Sequence, residues 1–314
     1  MKQRTLGASG LKVSLVGLGC NNFGGRIDTE ASREVIHKAL DLGITLFDTA
    51  DVYGNRGGSE TCLGQFLGDR RKDIVLASKF GSPMDDAGTM RGGTRRYVMS
   101  AVEASLKRLK TDWIDLYQMH RPDPETPIEE TLRALDDLVR QGKIRYVGFS
   151  QVAAWQLVDR QWTARHHGLS PVTACEAEYN LLARDAEREL VPAMRACGAG
   201  LLPFYPLASG FLTGKYLRGA PMPEGARLTK GQRYSDKYLT EGNWTLLERL
   251  EAFCKERGRS LLELAFGWLA AQPVVASVIA GATKAEQLEL NVKAVDWALA
   301  PQELAEIERL TGNG

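Results

Sequence analysis

Four side chains capable of proton chemistry stand at or just beyond the ends of three apolar stretches. Asp48 closes Thr45-Leu46-Phe47-Asp48 and Tyr53 follows five residues later. Lys79 closes Ile74-Val75-Leu76-Ala77-Ser78-Lys79, and His120 follows Trp113-Ile114-Asp115-Leu116-Tyr117-Gln118-Met119. A carboxylate at the end of a buried strand needs a cation or several hydrogen bonds to be tolerated there, and Lys79 and His120 are the candidate partners. Singly, each of the four has a plain structural explanation: a turn cap, a surface phenol, a solvated ammonium, a hydrogen-bonded core imidazole. Together on adjacent strand ends they point to a site.

The chemistry open to them is acid catalysis on an oxygen. A phenol with an ordinary pKa near ~10 is a poor proton donor at neutral pH, and an adjacent ammonium favours the phenolate and brings that value down. Lys79 can supply the charge, and Asp48 can keep Lys79 ionised in a partly dry pocket. His120 can donate a hydrogen bond to a substrate carbonyl oxygen and stabilise the charge that builds on it. The set contains an acid but neither a nucleophile nor a metal-ligand group, so it asks for an external hydride donor, which suggests a nicotinamide cofactor.

The elements needed to position these groups repeat along the chain. Short apolar strands are expected at 16–19, 44–48, 74–79, 113–119, 144–149, 172–178, 200–204 and 274–279. Helices are expected from Thr29 to about Gly43 and at 59–68, 95–109, 127–141, 152–166, 185–197, 243–257, 260–271 and 284–296. Arg4-Thr5-Leu6 and Lys12-Val13-Ser14-Leu15-Val16, with a turn at Ser9-Gly10, are expected to make a peripheral hairpin. Strands that alternate with helices run parallel with right-handed crossovers. A doubly wound sheet would carry a glycine-rich phosphate fingerprint after its first strand, and Gly17-Leu18-Gly19-Cys20-Asn21-Asn22 lacks the third glycine. A single-domain (β/α)8 barrel spanning 1–314 is therefore expected. It has a hairpin in front, a long loop rich in Gly and Pro from 207 to about 240, and its chemistry at the carboxyl ends of the strands.

Composition narrows the partners. The 314 residues are 44% hydrophobic and 25% charged, as in a globular protein, and the formal net charge of +1 offers no general attraction to nucleic acid or an anionic membrane. No N-terminal apolar core reads as a signal peptide and no run is long enough to span a bilayer, so the chain is expected to be cytoplasmic. Its five scattered cysteines suggest neither zinc nor a disulfide framework, and reduced thiols are expected. A small-molecule partner follows; oligomeric state is open.

At this point the chain resembles the aldo-keto reductases. The likeness runs in order through Val16-Gly17-Leu18-Gly19, Phe47-Asp48-Thr49-Ala50-Asp51-Val52-Tyr53-Gly54, Ala77-Ser78-Lys79-Phe80, His120-Arg121-Pro122-Asp123 and Val147-Gly148-Phe149-Ser150. It continues through Glu178-Tyr179-Asn180-Leu181-Leu182, Pro206-Leu207-Ala208-Ser209-Gly210, Gly214-Lys215-Tyr216 and Ile279-Ala280-Gly281-Ala282-Thr283. The resemblance implies a barrel that binds extended NADPH at its mouth, with NADH the alternative, and reduces aldehydes or ketones. It implies Tyr53 as general acid supported by Asp48 and Lys79, with His120 beside the carbonyl.

For the cofactor, the resemblance implies contacts from Gly19, Asp48, Ser150, Gln151 and Glu176 at the nicotinamide end, with Phe204 as the stacking ring and Tyr205 beside it. Pro206, Leu207, Ser209, Gly210 and Lys215 match the loop over the diphosphate, and Gly281, Thr283, Gln287 and Asn291 match the adenosine segment. Lys215, Arg227 and Lys284 are the cations available to a 2′-phosphate. Gln151 stands where many members carry asparagine, Glu176 where glutamine is usual, and Leu290 where a glutamate is common. A carboxylate can accept from an amide but cannot donate to it.

Two other readings are weighed. Relatives beneath potassium channels share Arg121-Pro122-Asp123-Pro124 and would make the chain a cofactor-binding regulatory subunit, but they lack a histidine at position 120. A metal-dependent barrel hydrolase or isomerase would use Asp48, His120, Glu176 and Glu178, a thin set with one histidine. Asn22, Phe23, Trp113 and the loop 81–94 are candidate substrate-pocket walls.

Overall fold

The computed structural model describes residues 1–229 and 232–312. Strands β1 (Gln3–Thr5) and β2 (Lys12–Ser14) pair antiparallel. Eight strands then form one parallel sheet: β3 (Val16–Gly19), β4 (Leu46–Asp48), β5 (Val75–Phe80), β6 (Ile114–Met119), β7 (Ile144–Ser150), β8 (Val172–Glu178), β9 (Gly200–Phe204) and β10 (Val278–Gly281), in the order β10-β3-β4-β5-β6-β7-β8-β9. The Leu201 amide donates to the Val274 carbonyl at 2.8 Å and the Ala276 amide to the Leu201 carbonyl at 2.9 Å, so β9 pairs with the chain just ahead of β10. That contact closes the sheet into the expected (β/α)8 barrel.

The helices lie between the strands in sequence: α1 (Thr29–Asp41), α2 (Tyr53–Phe66), α3 (Arg95–Leu109), α4 (Ile128–Arg140), α5 (Ala154–His166) and α6 (Leu190–Cys197). After β9 come α7 (Gln232–Tyr238), α8 (Glu241–Glu256) and α9 (Leu261–Ala271), and after β10 come α10 (Ala285–Ala294) and α11 (Pro301–Leu310). In α4, Leu132, Leu135 and Leu138 recur at helical spacing and are buried, Glu129 and Glu130 occupy the first turn, and Arg140 the last. Apolar packing and the helix dipole therefore favour the same placement. Among the described residues no helix is long and apolar enough to cross a membrane. All five cysteines are free and buried.

Five points differ from expectation. The hairpin is not peripheral: Leu6 and Val13 are wholly buried with Leu46, Val75, Leu116, Ala174 and Leu202 in the barrel's inner core. The Arg4 guanidinium donates to the carbonyls of Ala270, Gln272 and Val275, fastening the hairpin across the amino-terminal opening. The last helix, α11, went unforeseen, because Ile307 is its only fully buried residue and leaves a weak apolar stripe. The expected helix 185–197 is a short 3-10 turn followed by α6, and the stretch 207–240 holds 3-10 turns and α7 instead of being wholly irregular. Finally, the helical segment after β4 begins at Tyr53 and not at 59, but Gly54, Asn55 and Arg56 wind left-handed, with φ of 66°, 58° and 66°. A left-handed turn is disfavoured for L-residues, and periodicity carries no sign of it.

Asp51 lies between Asp48 and Tyr53 and is buried, with its amide donating to the Lys79 carbonyl at 3.1 Å. Burial, and next the charge of Glu60, raise its carboxyl to about 8. A carboxyl raised in the folded state binds more protons there than in the unfolded chain between its ordinary value and about 8, so its contribution to stability falls as pH rises through that window. Asp51→Asn is therefore expected to gain stability relative to the parent between pH 5 and pH 8 in urea unfolding. A gap that stays constant over that interval would remove the assignment.

Candidate active site

Alternation along the strands builds the site. Leu46, Ala77, Leu116, Ala174 and Leu202 fill the barrel interior, and the residues two positions on, Asp48, Lys79, Gln118, Glu176 and Phe204, form the next layer towards the mouth. The register sets Lys79 beside Gln118 and Ser150 beside Glu176. Gly148 makes room for this layer, since a Cβ there would lie 2.9 Å from both the Cγ and Oε1 of Gln118.

Lys79 is wholly buried. Its Nζ donates to both carboxylate oxygens of Asp48, at 2.7 and 2.6 Å, and to the Thr49 carbonyl at 3.0 Å. The Glu176 Oε1 lies 3.3 Å from the same nitrogen and accepts from Gln118 Nε2 at 2.6 Å. Burial alone would strip the proton from Lys79, but Asp48 and Glu176 overcome it and hold the ammonium well above its usual range. Burial first, and Glu176 second, raise the Asp48 carboxyl, with Lys79 acting the other way.

Tyr53 and His120 stand over this cluster. The Lys79 Nζ is 5.2 Å from the centre of the Tyr53 ring, and the Tyr53 and His120 rings meet edge to face at 5.6 Å. Ser82 Oγ lies 3.2 Å from His120 Nδ1, and Gln151 Nε2 donates to the His120 carbonyl at 3.2 Å. Burial, then the charges of Lys79 and Arg121, push the imidazole down to about 3, so it is neutral across the working range. The phenol departs from the sequence expectation. Lys79 does pull its pKa down, but burial outweighs that pull and the carboxylates of Asp48 and Glu176 add to the rise. The net shift is upward, chiefly because the ring is buried.

Around this centre the remaining candidates fall into two groups. Phe204 and Tyr205 are half-buried and meet at right angles with ring centres 5.2 Å apart. After the buried Pro206 and half-buried Leu207, a left-handed run, Ala208 (φ 47°), Ser209 (φ 57°) and Gly210 (φ 96°), turns the chain tightly. Such backbone is uncommon outside glycine and collects at ligand sites. Ser209 Oγ is buried and has no hydrogen-bond partner, and a Cβ on Gly210 would sit 3.2 Å from Lys215 Nζ. Arg227 stacks over Tyr205 with 5.5 Å to the ring centre.

The second group is Gly281, Thr283, Lys284, Gln287 and Asn291. Gly19 pairs with both Gly281 and Asp48 in the sheet. Gln287 accepts from the Thr283 amide at 2.7 Å, Asn291 is buried, and Lys284 is the exposed residue preceding α10.

Sequence reasoning missed three residues. Gln118 carried a signal, a polar residue two before His120 in an apolar strand and so on the same face. Ser82 carried none. Arg26 carried none either: it donates to the Gly225 carbonyl at 3.0 Å and lies within electrostatic range of Lys215 and Arg227, which makes a cluster of three cations.

Conversely, the wall candidates Asn22, Phe23 and Trp113 have structural work. Asn22 donates to the Ala282 carbonyl at 3.1 Å and Phe23 is wholly buried. Trp113, at the far end of β6, lies between Arg71 and Arg145. In the loop 81–94, Asp86 pairs with Arg56 at 2.6 Å. Among the described residues no group of three or more His, Cys, Asp or Glu is arranged to hold a metal ion, and Glu178 instead accepts from Lys237 and Tyr238 of α7.

Comparison with known proteins completes the description. The profile of the Aldo/keto reductase family matches residues 15–311. The chain is 38% identical over 309 residues to an uncharacterized oxidoreductase, YrpG, of Bacillus subtilis, covering 95% of this chain and 92% of that protein. It is 36% identical over 331 residues to an L-glyceraldehyde 3-phosphate reductase of Escherichia coli K12, covering 100% of this chain and 93% of the relative. It is 37% identical over 321 residues to a probable voltage-gated potassium channel subunit beta of Arabidopsis thaliana, covering 99% and 96%.

The charge arrangement makes a prediction independent of function. Lys79→Met leaves two buried carboxyls facing each other, and is expected to cost about 3–5 kcal/mol of stability, the penalty for breaking a buried pair by removing one partner. The cost should be larger at pH 8 than at pH 5, where the carboxyls can take up protons. A loss below about 1 kcal/mol in urea unfolding, the range of exposed pairs, would contradict the burial of a charged Lys79.

Proposed function

The chain belongs to the aldo/keto reductase family and is an oxidoreductase, and from that premise we propose that it is an NADPH-dependent reductase of aldehydes and ketones with Tyr53 as general acid. The observation that carries the reading is a buried ammonium, Lys79, held bidentately by Asp48 beneath the Tyr53 ring, with a neutral imidazole at the ring edge. The whole chain acts as one catalytic domain. Its buried, unpaired thiols fit a cytoplasmic setting.

The residues present fit a dinucleotide. Ser150, Gln151 and Glu176 line the nicotinamide end and Phe204 offers a half-buried ring for it, with Tyr205 alongside. The unpartnered Ser209 hydroxyl, the tight backbone at Gly210 and the cations Lys215, Arg227 and Arg26 suit the diphosphate and a 2′-phosphate, which favours NADPH over NADH. Thr283, Gln287 and Asn291 take the adenosine end. When bound, the reduced nicotinamide supplies a hydride to the carbonyl carbon.

The chain's own part is the proton. A phenol whose pKa lies above its usual value keeps its proton in the resting pocket and gives it up only to a stronger base, such as the oxygen that gains charge as the carbonyl is reduced. Lys79 stabilises the phenolate left behind, and Asp48 keeps Lys79 charged. His120, neutral, donates a hydrogen bond to the same oxygen without competing as an acid. On alcohols the proton travels the other way.

The name of the Arabidopsis relative raises the regulatory-subunit reading. The presence together of Asp48, Tyr53, Lys79 and His120 favours catalysis here.

The direct test is loss of nicotinamide absorbance when NADPH is mixed with protein and a panel of aldehydes and ketones, including a phosphorylated triose aldehyde. Cofactor binding without turnover on any of them would weigh against the reading. Tyr53→Phe is expected to lower turnover by at least about 100-fold, the usual contribution of a positioned acid, while leaving cofactor affinity nearly unchanged. Wild-type rates in that variant would assign the acid elsewhere. Lys215→Ala should weaken NADPH more than NADH; equal weakening would detach Lys215 from the 2′-phosphate.

A further inference from the structure

The floor of the pocket holds a charge imbalance. Two carboxyl groups, Asp48 and Glu176, lie within 2.6 and 3.3 Å of one ammonium, Lys79 Nζ. Both carboxyls crowd one nitrogen, and burial first and Glu176 second raise the Asp48 carboxyl, which disposes the pair to share a proton.

The other titratable groups around Asp48, Lys79 and Glu176 do not restore the balance. Cys20, just past β3, Cys175 on β8 and Tyr53 are all raised, burial being the largest cause, and stay neutral. His120 after β6 is pushed down to about 3 and is neutral as well. Gln118 on β6 donates a hydrogen bond but carries no charge. With both carboxyls ionised, the trio of Asp48, Glu176 and Lys79 carries one negative charge more than positive.

We propose that Glu176 sets cofactor redox preference: its surplus carboxylate makes the pocket bind the oxidised, cationic nicotinamide dinucleotide more tightly than the neutral-ringed reduced form, with release of the proton shared with Asp48. This rests on the cofactor reading above. A cation over the cluster replaces the proton as the compensating charge, whereas a reduced ring leaves the proton in place. Glutamine at this position would keep the shape and the hydrogen bond from Gln118 but remove the surplus charge. A pocket that holds the oxidised form more tightly makes the bound reduced dinucleotide a stronger hydride donor, so the protein favours carbonyl reduction and releases the oxidised cofactor slowly afterwards.

Isothermal titration of the parent and Glu176→Gln with NADP+ and NADPH at pH 6, 7, 8 and 9, in two buffers of different ionisation enthalpy, tests the proposal. In the parent, NADP+ affinity should rise with pH and binding at pH 7 should release close to one proton, while NADPH binding should do neither. The ratio of the NADPH to the NADP+ dissociation constant should fall about tenfold in Glu176→Gln, the order expected for one charge acting across a partly screened pocket.

An unchanged ratio in a folded variant overturns the assignment to Glu176 and leaves the reductase reading standing. If the variant does not fold, the proton count of the parent decides, and a count of zero overturns the proposal. Failure of both cofactors to bind the parent overturns the reductase reading and this inference with it.

Discussion

The site depends on one ammonium kept charged where water cannot reach it. An isolated lysine at full burial would give up its proton, and each neighbouring feature of the barrel mouth can be traced to preventing that. Asp48 meets Lys79 with both oxygens, the Thr49 carbonyl takes a third bond, and Glu176 closes the remaining side. The strands that carry these groups are adjacent or opposite in a closed sheet, so their separation is fixed by register and not by loop conformation. A rigid scaffold is what a preorganised charge requires.

Barrel geometry explains why such a cluster forms at the carboxyl ends. Side chains alternate across each strand, and the inward-facing ones stack in layers. The lower layer here is aliphatic and sealed by the hairpin; the layer above it is polar on four of its strands. The transition takes two residues along each strand. Phe47, Ser78 and Cys175, the neighbours in sequence, point the other way and pack towards the helices or bind Glu60. An apolar run that ends in one charged residue is the linear trace of that transition.

The legibility of the chain follows the same division. Short apolar runs alternating with helices made the eight strands readable to within a few residues, and the strand-end position of Asp48, Lys79 and His120 marked the cluster before its geometry was known. Three things were out of reach. The direction of the Tyr53 shift depends on how burial competes with three charges, a sum in space and not in sequence. The approach of Arg26 to Lys215 and Arg227 joins loops about two hundred positions apart, for which local pattern holds no information. The left-handed turn at Gly54, Asn55 and Arg56 was signalled only by a glycine and an asparagine, residues equally at home in ordinary turns.

The hairpin ahead of the barrel has a consequence for traffic. With Leu6 and Val13 set into the lower core and Arg4 tied to one carbonyl in the last turn of α9 and two on the chain leading to β10, the vessel has a floor. It is a cup and not a tube, so whatever enters must leave by the rim it crossed, and two ligands that meet inside must arrive and depart in turn.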